Sequence, residues 1–239
     1  MQSIRIDAKS TKMVAHRGLS GIELENTNAA FIAAGNRSYF GIETDVHKTS
    51  DGKFVVIHDD DTGRVGEKNI PVEGSSFAEL RQMQLISKDG VADRGDLRIP
   101  TLKEYISTCK RYEKTAVLEL KNAFLKEEVK AICDEIIDED YLSHVIFISF
   151  DFQNLVYIRS FYPQQPVQFL VDDYSDDLPQ RLQEHDFDVD IHYSALTKER
   201  IDALHRCGVR INCWTCDDKD TAELLTEYGV DFITSNILE

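Results

Sequence analysis

Short apolar runs recur along the chain, and segments with helical spacing separate most of them. Val14-Ala15-His16 reads as a strand that stops at Arg17-Gly18. A helix through residues 29–34 follows, with Asn26 or Thr27 as its N-cap and Gly35 as its close. Gly41-Ile42-Glu43-Thr44-Asp45-Val46 reads as a second strand, and Thr49-Ser50-Asp51-Gly52 as a hairpin turn of the Asp-Gly type. Phe54-Val55-Val56-Ile57-His58-Asp59 then runs back, which brings His58 to the level of Asp45. Residues 60–100 differ in texture. They are rich in Gly, Asp, Arg and Ser, carry one helical piece at 77–85, and read as an irregular insertion.

Beyond Pro100 the alternation is regular. Strands are expected at 115–121, 144–150, 167–171, 189–192, 209–215 and 230–234. Helices are expected at 102–112, 126–138, 153–160, 178–184, 198–207 and 219–228. That makes nine strands, and the one near Val56 must be antiparallel because a tight turn precedes it. Eight parallel strands with intervening helices give an α/β fold, the (β/α)8 TIM barrel, with residues 1–239 as one domain and 60–100 inserted at the barrel mouth. An open doubly wound sheet would require a Gly-rich phosphate loop, for which Gly18 and Gly21 are too sparse.

Charge narrows the partners. The net charge is 27 − 43 = −16, against nucleic acid and anionic membrane surfaces, which need Lys/Arg patches. An anionic substrate would then need a metal or a specific Arg. No apolar run approaches the roughly 20 residues of a membrane span, and the start MQSIRIDAKSTK lacks the apolar centre of a signal peptide. Stable membrane insertion is therefore not expected. The five Cys are irregularly spaced, which argues for a reducing cytoplasm. Cys213-Trp214-Thr215-Cys216 ends a late strand, the wrong place for a thioredoxin-like redox pair.

Glu43 and Asp45 lie two apart and share one strand face. On an apolar strand they repel each other unless a cation neutralises them; the alternative is the wet side of an edge strand. Glu119 ends another strand and adds a third carboxylate, with Lys121 facing the same way. Three oxygen donors suit Mg²⁺ or Ca²⁺ and not structural zinc. His16 and His58 fall at the same mouth and can exchange protons near neutral pH. His47, His144, His185, His192 and His205 have no carboxylate partner in view and read as surface or core residues, with His192 the first exception because it ends a strand. The acidic runs Asp59–Asp61 and Asp172-Asp173 read as solvated loops.

His16-Arg17-Gly18, Glu25-Asn26-Thr27, Glu43-x-Asp45, Thr49-x-Asp51-Gly52 and His58-Asp59, in this order and spacing, resemble the glycerophosphodiester phosphodiesterase family. The resemblance continues through Leu118-Glu119-Leu120-Lys121, similar to the family's Glu-Ile-Lys segment, Ser149-Phe150 and Trp214-Thr215. It implies Glu43, Asp45 and Glu119 as metal ligands and His16 and His58 as acid and base. It implies Arg17 and Lys121 as phosphate contacts and Trp214 as the aromatic packed on glycerol carbons. The expected substrate is a small glycerophosphodiester, and the products glycerol 3-phosphate and an alcohol.

Two departures stand out. Asp217 stands where the family often has Asn, and Thr234-Ser235-Asn236 where a strand often ends in Thr-Asp. Both are expected to bear on the leaving group and to touch neither the metal nor the histidines. A lysophospholipase D-like enzyme on the same fold would need an apolar groove. A non-catalytic glycerophosphate-binding protein should have lost one of His16, His58, Glu43, Asp45 or Glu119, and all five are present.

Overall fold

Ring closure sets the architecture. In the computed structural model, which describes residues 2–90 and 94–239, β1 (Lys12–Ala15) pairs in parallel with both β2 (Gly41–Lys48) and β9 (Phe232–Ser235). Between them run β4 (Thr115–Leu120), β5 (Val145–Ser149), β6 (Val167–Val171), β7 (Asp188–His192) and β8 (Ile211–Trp214), each parallel to its neighbours. Eight parallel strands thus form a closed barrel. β3 (Phe54–Val56) lies outside the ring, antiparallel to β2. Regular pairing of β3 ends sooner than the sequence predicts, but Ile57 N–H still donates to Asp45 O at 3.2 Å and so brings His58 to the barrel mouth.

Seven helices join successive barrel strands: α1 (Asn28–Gly35), α3 (Leu102–Arg111), α4 (Lys126–Asp138), α5 (Phe152–Phe161), α6 (Leu178–His185), α7 (Lys198–Arg206) and α8 (Lys219–Tyr228). α2 (Phe77–Gln82) belongs to the insertion. Starts follow side-chain chemistry: Thr27 Oγ accepts from Ala30 N–H at 3.3 Å, and Ser76 and Thr101 each build a capping box with the Glu three residues on. Gly35 does not close α1 as expected. It is the last helical residue, and Asn36 forms the cap. Space explains this glycine, because a Cβ there would lie 2.5 Å from the Tyr112 ring. The 77–85 helix stops at Gln82, where Met83 turns extended. No helix among the described residues is long and apolar enough to cross a membrane.

Alternation along the strands sorts the side chains. Ile42, Val46, Leu118 and Leu120 join the large apolar layer under the helices. Val14, Val117, Ile146, Ile148, Leu170 and Phe232 form a second cluster inside the barrel. The Lys12 ammonium lies 4.4 Å from the Phe40 ring centroid beside that inner cluster. Residues 60–100, of which 91–93 lie outside the described residues, add a third. Val65, Val72, Leu80, Leu85, Leu97 and Ile99 pack on Val55 and Ile57. Arg81 ties this layer to α3 through two contacts with Glu104, at 2.7 and 2.9 Å.

Leu80 is fully buried in that third cluster. Leu80→Ala should cost about 2–5 kcal/mol, read as a lower urea midpoint for the whole chain. A separate early transition, with the main one unmoved, would show that the insertion unfolds independently.

Candidate active site

Strand register brings the three acids together. Asp45 on β2 stands directly opposite Glu119 on β4, and Glu43 follows two positions earlier on the same interior face. One carboxylate oxygen from each lies within 4.8 Å of the other two, and all three residues are buried. Positive groups reach them only in part. Arg17 Nε is 3.6 Å from Asp45 Oδ2, and Lys121 Nζ is 3.0 Å from Glu119 Oε1 and 3.7 Å from Asp45 Oδ1. Asn26 Nδ2 donates to Asp45 Oδ2 at 2.7 Å, and Arg17 N–H donates to Glu43 Oε2 at 2.8 Å. That last bond needs Arg17 in the left-handed region, at φ +53°. Gly18 follows at φ +76°, where a Cβ would sit 2.7 Å from Ala30.

Charge is unevenly shared among the acids. Burial and the neighbouring Asp45 push Glu43 well above the usual carboxylate range, and the same two causes raise Glu119 to about 8. Burial opposes ionisation of Asp45 too, but Arg17, His58 and Lys121 together hold it below its ordinary value. Asp45 Oδ1 and Glu119 Oε1 have no aligned hydrogen-bond donor. Three buried carboxylates whose charge Arg17 and Lys121 meet only in part fit a hard divalent cation with oxygen ligands.

The two histidines flank this cluster with different partners. His16 Nδ1 is 2.8 Å from Asn236 Oδ1, while its Nε2 is 4.0 Å from Glu43 Oε2. Burial first, then Arg17, lowers His16 to about 4. His58 Nδ1 is 2.6 Å from Asp59 Oδ1. Asp59 is gripped twice by Arg64, at 2.7 and 2.9 Å, and Arg64 forks onto Glu25 at 2.7 and 2.9 Å. Glu25 Oε1 in turn accepts from Arg17 Nη1 at 2.8 Å. An unbroken chain of ionic hydrogen bonds therefore links His58 to Arg17 through a residue of the insertion.

His16, Arg17, Glu43, His58, Glu119 and Lys121 line the polar side of one pocket. Ile148, Phe150, Leu170 and Trp214 give the same pocket its apolar wall. Trp214 Nε1 donates to Asp190 O at 3.3 Å, and its ring meets Phe150 edge-on at 5.8 Å. Asp45 lies behind the lining, held in the acid cluster.

Several readings from the sequence need correction. Asp59 is not a solvated loop residue, because it joins His58 to Arg64. His47 and His205 do have carboxylate partners, Glu73 at 3.3 Å and Asp231 at 3.0 Å. His192 packs edge-on against Trp214 and bonds Ser194 Oγ at 2.8 Å, and is not among the pocket-lining residues. Asn236 does touch a histidine, and Asp217 reaches it through Asn236. Asp190 is a further residue of the site. It is buried against the pocket, with Oδ1 unpartnered and its carboxyl raised well above the ordinary range by burial and Glu119. The period-two spacing of Asp188, Asp190 and His192 is the signal that marks it.

A model of the glycerophosphoryl diester phosphodiesterase family matches residues 16–238. YhdW of Bacillus subtilis is 32% identical, over 94% of this chain and 93% of its own length. The glycerophosphodiester phosphodiesterase of Caldanaerobacter subterraneus is 28% identical, over 95% and 94%. The solved structure of an Oleispira antarctica phosphodiesterase, in complex with its product sn-glycerol-3-phosphate, superposes with a TM-score of 0.83 at 26% identity, covering 95% of this chain and 93% of that one. The family match runs from the first pocket histidine to the penultimate residue, so this chain belongs to the glycerophosphodiester phosphodiesterase family and is a phosphoric diester hydrolase.

Proposed function

We propose that this pocket hydrolyses glycerophosphodiesters to glycerol 3-phosphate and an alcohol, with one divalent cation, Mg²⁺ or Ca²⁺, held by Glu43, Asp45 and Glu119. The observation that carries the reading is the convergence of three buried carboxylates, two histidines and two cationic side chains on one mouth. The product bound to the Oleispira relative supports glycerol 3-phosphate as the retained half. The cation supplies electrostatic stabilisation of charge on the phosphoryl group.

The chain's own groups do the rest. Arg17 and Lys121 stand beside the acid cluster and would contact the phosphoryl oxygens. His16 and His58 take opposite parts in proton transfer. One removes a proton from the attacking hydroxyl, of water or of the neighbouring glycerol carbon, and the other protonates the departing alkoxide. Trp214 and the apolar wall receive the glycerol carbons and exclude water. Residues 60–100 shape the entrance, because Arg64 from that segment grips both Asp59 and Glu25. Phe150 is 43% exposed beside Trp214, so the apolar wall continues to the surface. That feature keeps a lysophospholipid as the second substrate reading.

The deciding assay is glycerol 3-phosphate release over diesters with choline, ethanolamine, inositol and glycerol head groups, alongside a lysolipid. Activity should appear with Mg²⁺ or Ca²⁺ and vanish in excess EDTA; full turnover in EDTA would refute the metal. Preference for the lysolipid over every water-soluble diester would favour the second reading.

His16→Ala and His58→Ala should each lower kcat by about 10²–10⁴-fold, the usual contribution of one positioned acid or base. Metal affinity should be nearly unchanged in both. The double variant should lose less than the product of the single losses, because the pair acts as a unit. A near wild-type rate in either single variant would remove that histidine from the mechanism.

Proton and metal should also compete. Glu119 is raised from 4.5 to about 8, so its folded form holds a proton that the unfolded chain releases earlier. In the metal-free protein Glu119's own contribution to stability is therefore lost as pH rises from about 4.5 to about 8. A cation displaces that proton, so Mg²⁺ or Ca²⁺ should raise Tm more at pH 8 than at pH 5. An equal gain at both pH values would contradict this.

A further inference from the structure

We infer that Asp217 and Asn236 are a positioning pair that holds His16 with its proton on Nδ1 and the lone pair of Nε2 facing the pocket. Asp217 fixes the arrangement. Its carboxylate accepts from Ser235 Oγ at 2.8 Å, from Asn236 N–H at 2.7 Å and from Asn236 Nδ2 at 2.6 Å. With donors on every side it acts as an acceptor only. The amide of Asn236 must then present its NH₂ end to Asp217, since the flipped amide would set oxygen against oxygen at 2.6 Å. Asn236 Oδ1 is left facing His16 Nδ1 at 2.8 Å, with the Ser20 hydroxyl at 2.6 Å on its other side. An amide oxygen cannot donate, so the proton between these atoms belongs to Nδ1.

The consequence is directional. Neutral His16 can accept a proton only at Nε2, the nitrogen turned toward Glu43, and imidazolium His16 releases that same proton from Nε2. Asn236 thereby makes one nitrogen the sole proton carrier. His58 differs, since its Nδ1 meets a carboxylate, Asp59, already occupied by Arg64. The two histidines are thus oriented by chemically distinct partners, a neutral amide and an ion pair. Asp217 and Asn236 lie in the two stretches that depart from the family pattern, Asp217 itself and Thr234-Ser235-Asn236, and form a single device at the β1–β9 seam.

This deepens the reading of His16 as a proton carrier and rests on it. Its test reads the resting protein as well as turnover, so a failed assay and a wrong tautomer are separate results. The full chain is labelled with ¹⁵N-histidine, and long-range ¹H–¹⁵N spectra are recorded at neutral pH. His16 signals are identified by their loss in His16→Gln. The expected result is a protonated Nδ1 and an unprotonated Nε2. Asn236→Ala should shift His16 toward the Nε2–H tautomer and lower kcat by about 10–100-fold, the scale at which loss of an orienting partner costs activity, with KM little changed. Asp217→Asn should lower kcat in the same direction. The exchange Asp217→Asn/Asn236→Asp sets a carboxylate against His16 with an amide behind it, and should recover the Nδ1–H tautomer and most of kcat. A wild-type His16 protonated on Nε2 would overturn the inference. So would an Asn236→Ala protein with wild-type tautomer and kcat, or an exchange variant no better than the single ones.

Discussion

Three carboxylates sharing one buried volume are the constraint around which this molecule is arranged. Asp45 and Glu119 face each other across the β2–β4 register, and Glu43 stands two residues earlier on the same face. Without a cation, burial and the neighbouring Asp45 push Glu43 and Glu119 toward their protonated forms. The surroundings manage this charge. Arg17 takes a left-handed backbone conformation so that its N–H reaches Glu43 and its side chain reaches Asp45 and Glu25. Asn26, also left-handed, donates to Asp45 and accepts from Thr44. Two residues in a costly backbone region, both serving the acid cluster, mark where the fold yields conformational ease to the site.

The same charge logic explains how a chain of net charge −16 handles an anionic phosphodiester. The overall field does not steer such a substrate in. Attraction must be local, and the two cations at the acid cluster are both partly screened by it: Lys121 by Glu119 and Asp45, Arg17 by Asp45 and Glu25. A divalent ion on the carboxylates would free Arg17 and Lys121 to meet the phosphoryl oxygens. Ion and anionic substrate are therefore expected to help each other bind.

Features that depend on period or turn chemistry were legible in the sequence. The two-residue spacing of Glu43 and Asp45, the Asp51-Gly52 turn and the count of eight parallel strands follow from local rules, and every barrel strand lies within two residues of its expected ends. Contacts across the closure were not legible. His16 and Asn236 are 220 positions apart and meet only because Ala15 pairs with Ser235 when β1 joins β9. The Arg64 grip on Asp59 was hidden for a similar reason, since an irregular segment has no period from which to place its side chains. Asp190 is different: its alternation was visible, but one acid in a short strand does not announce that its neighbours will be Glu119 and an apolar wall.

Anomalous scattering from crystals grown with Mn²⁺ tests the central claim most directly. One strong peak is expected among the carboxylates of Glu43, Asp45 and Glu119, absent in crystals of Glu119→Gln. Full Mn²⁺ occupancy elsewhere on the molecule with none at these three side chains would contradict it.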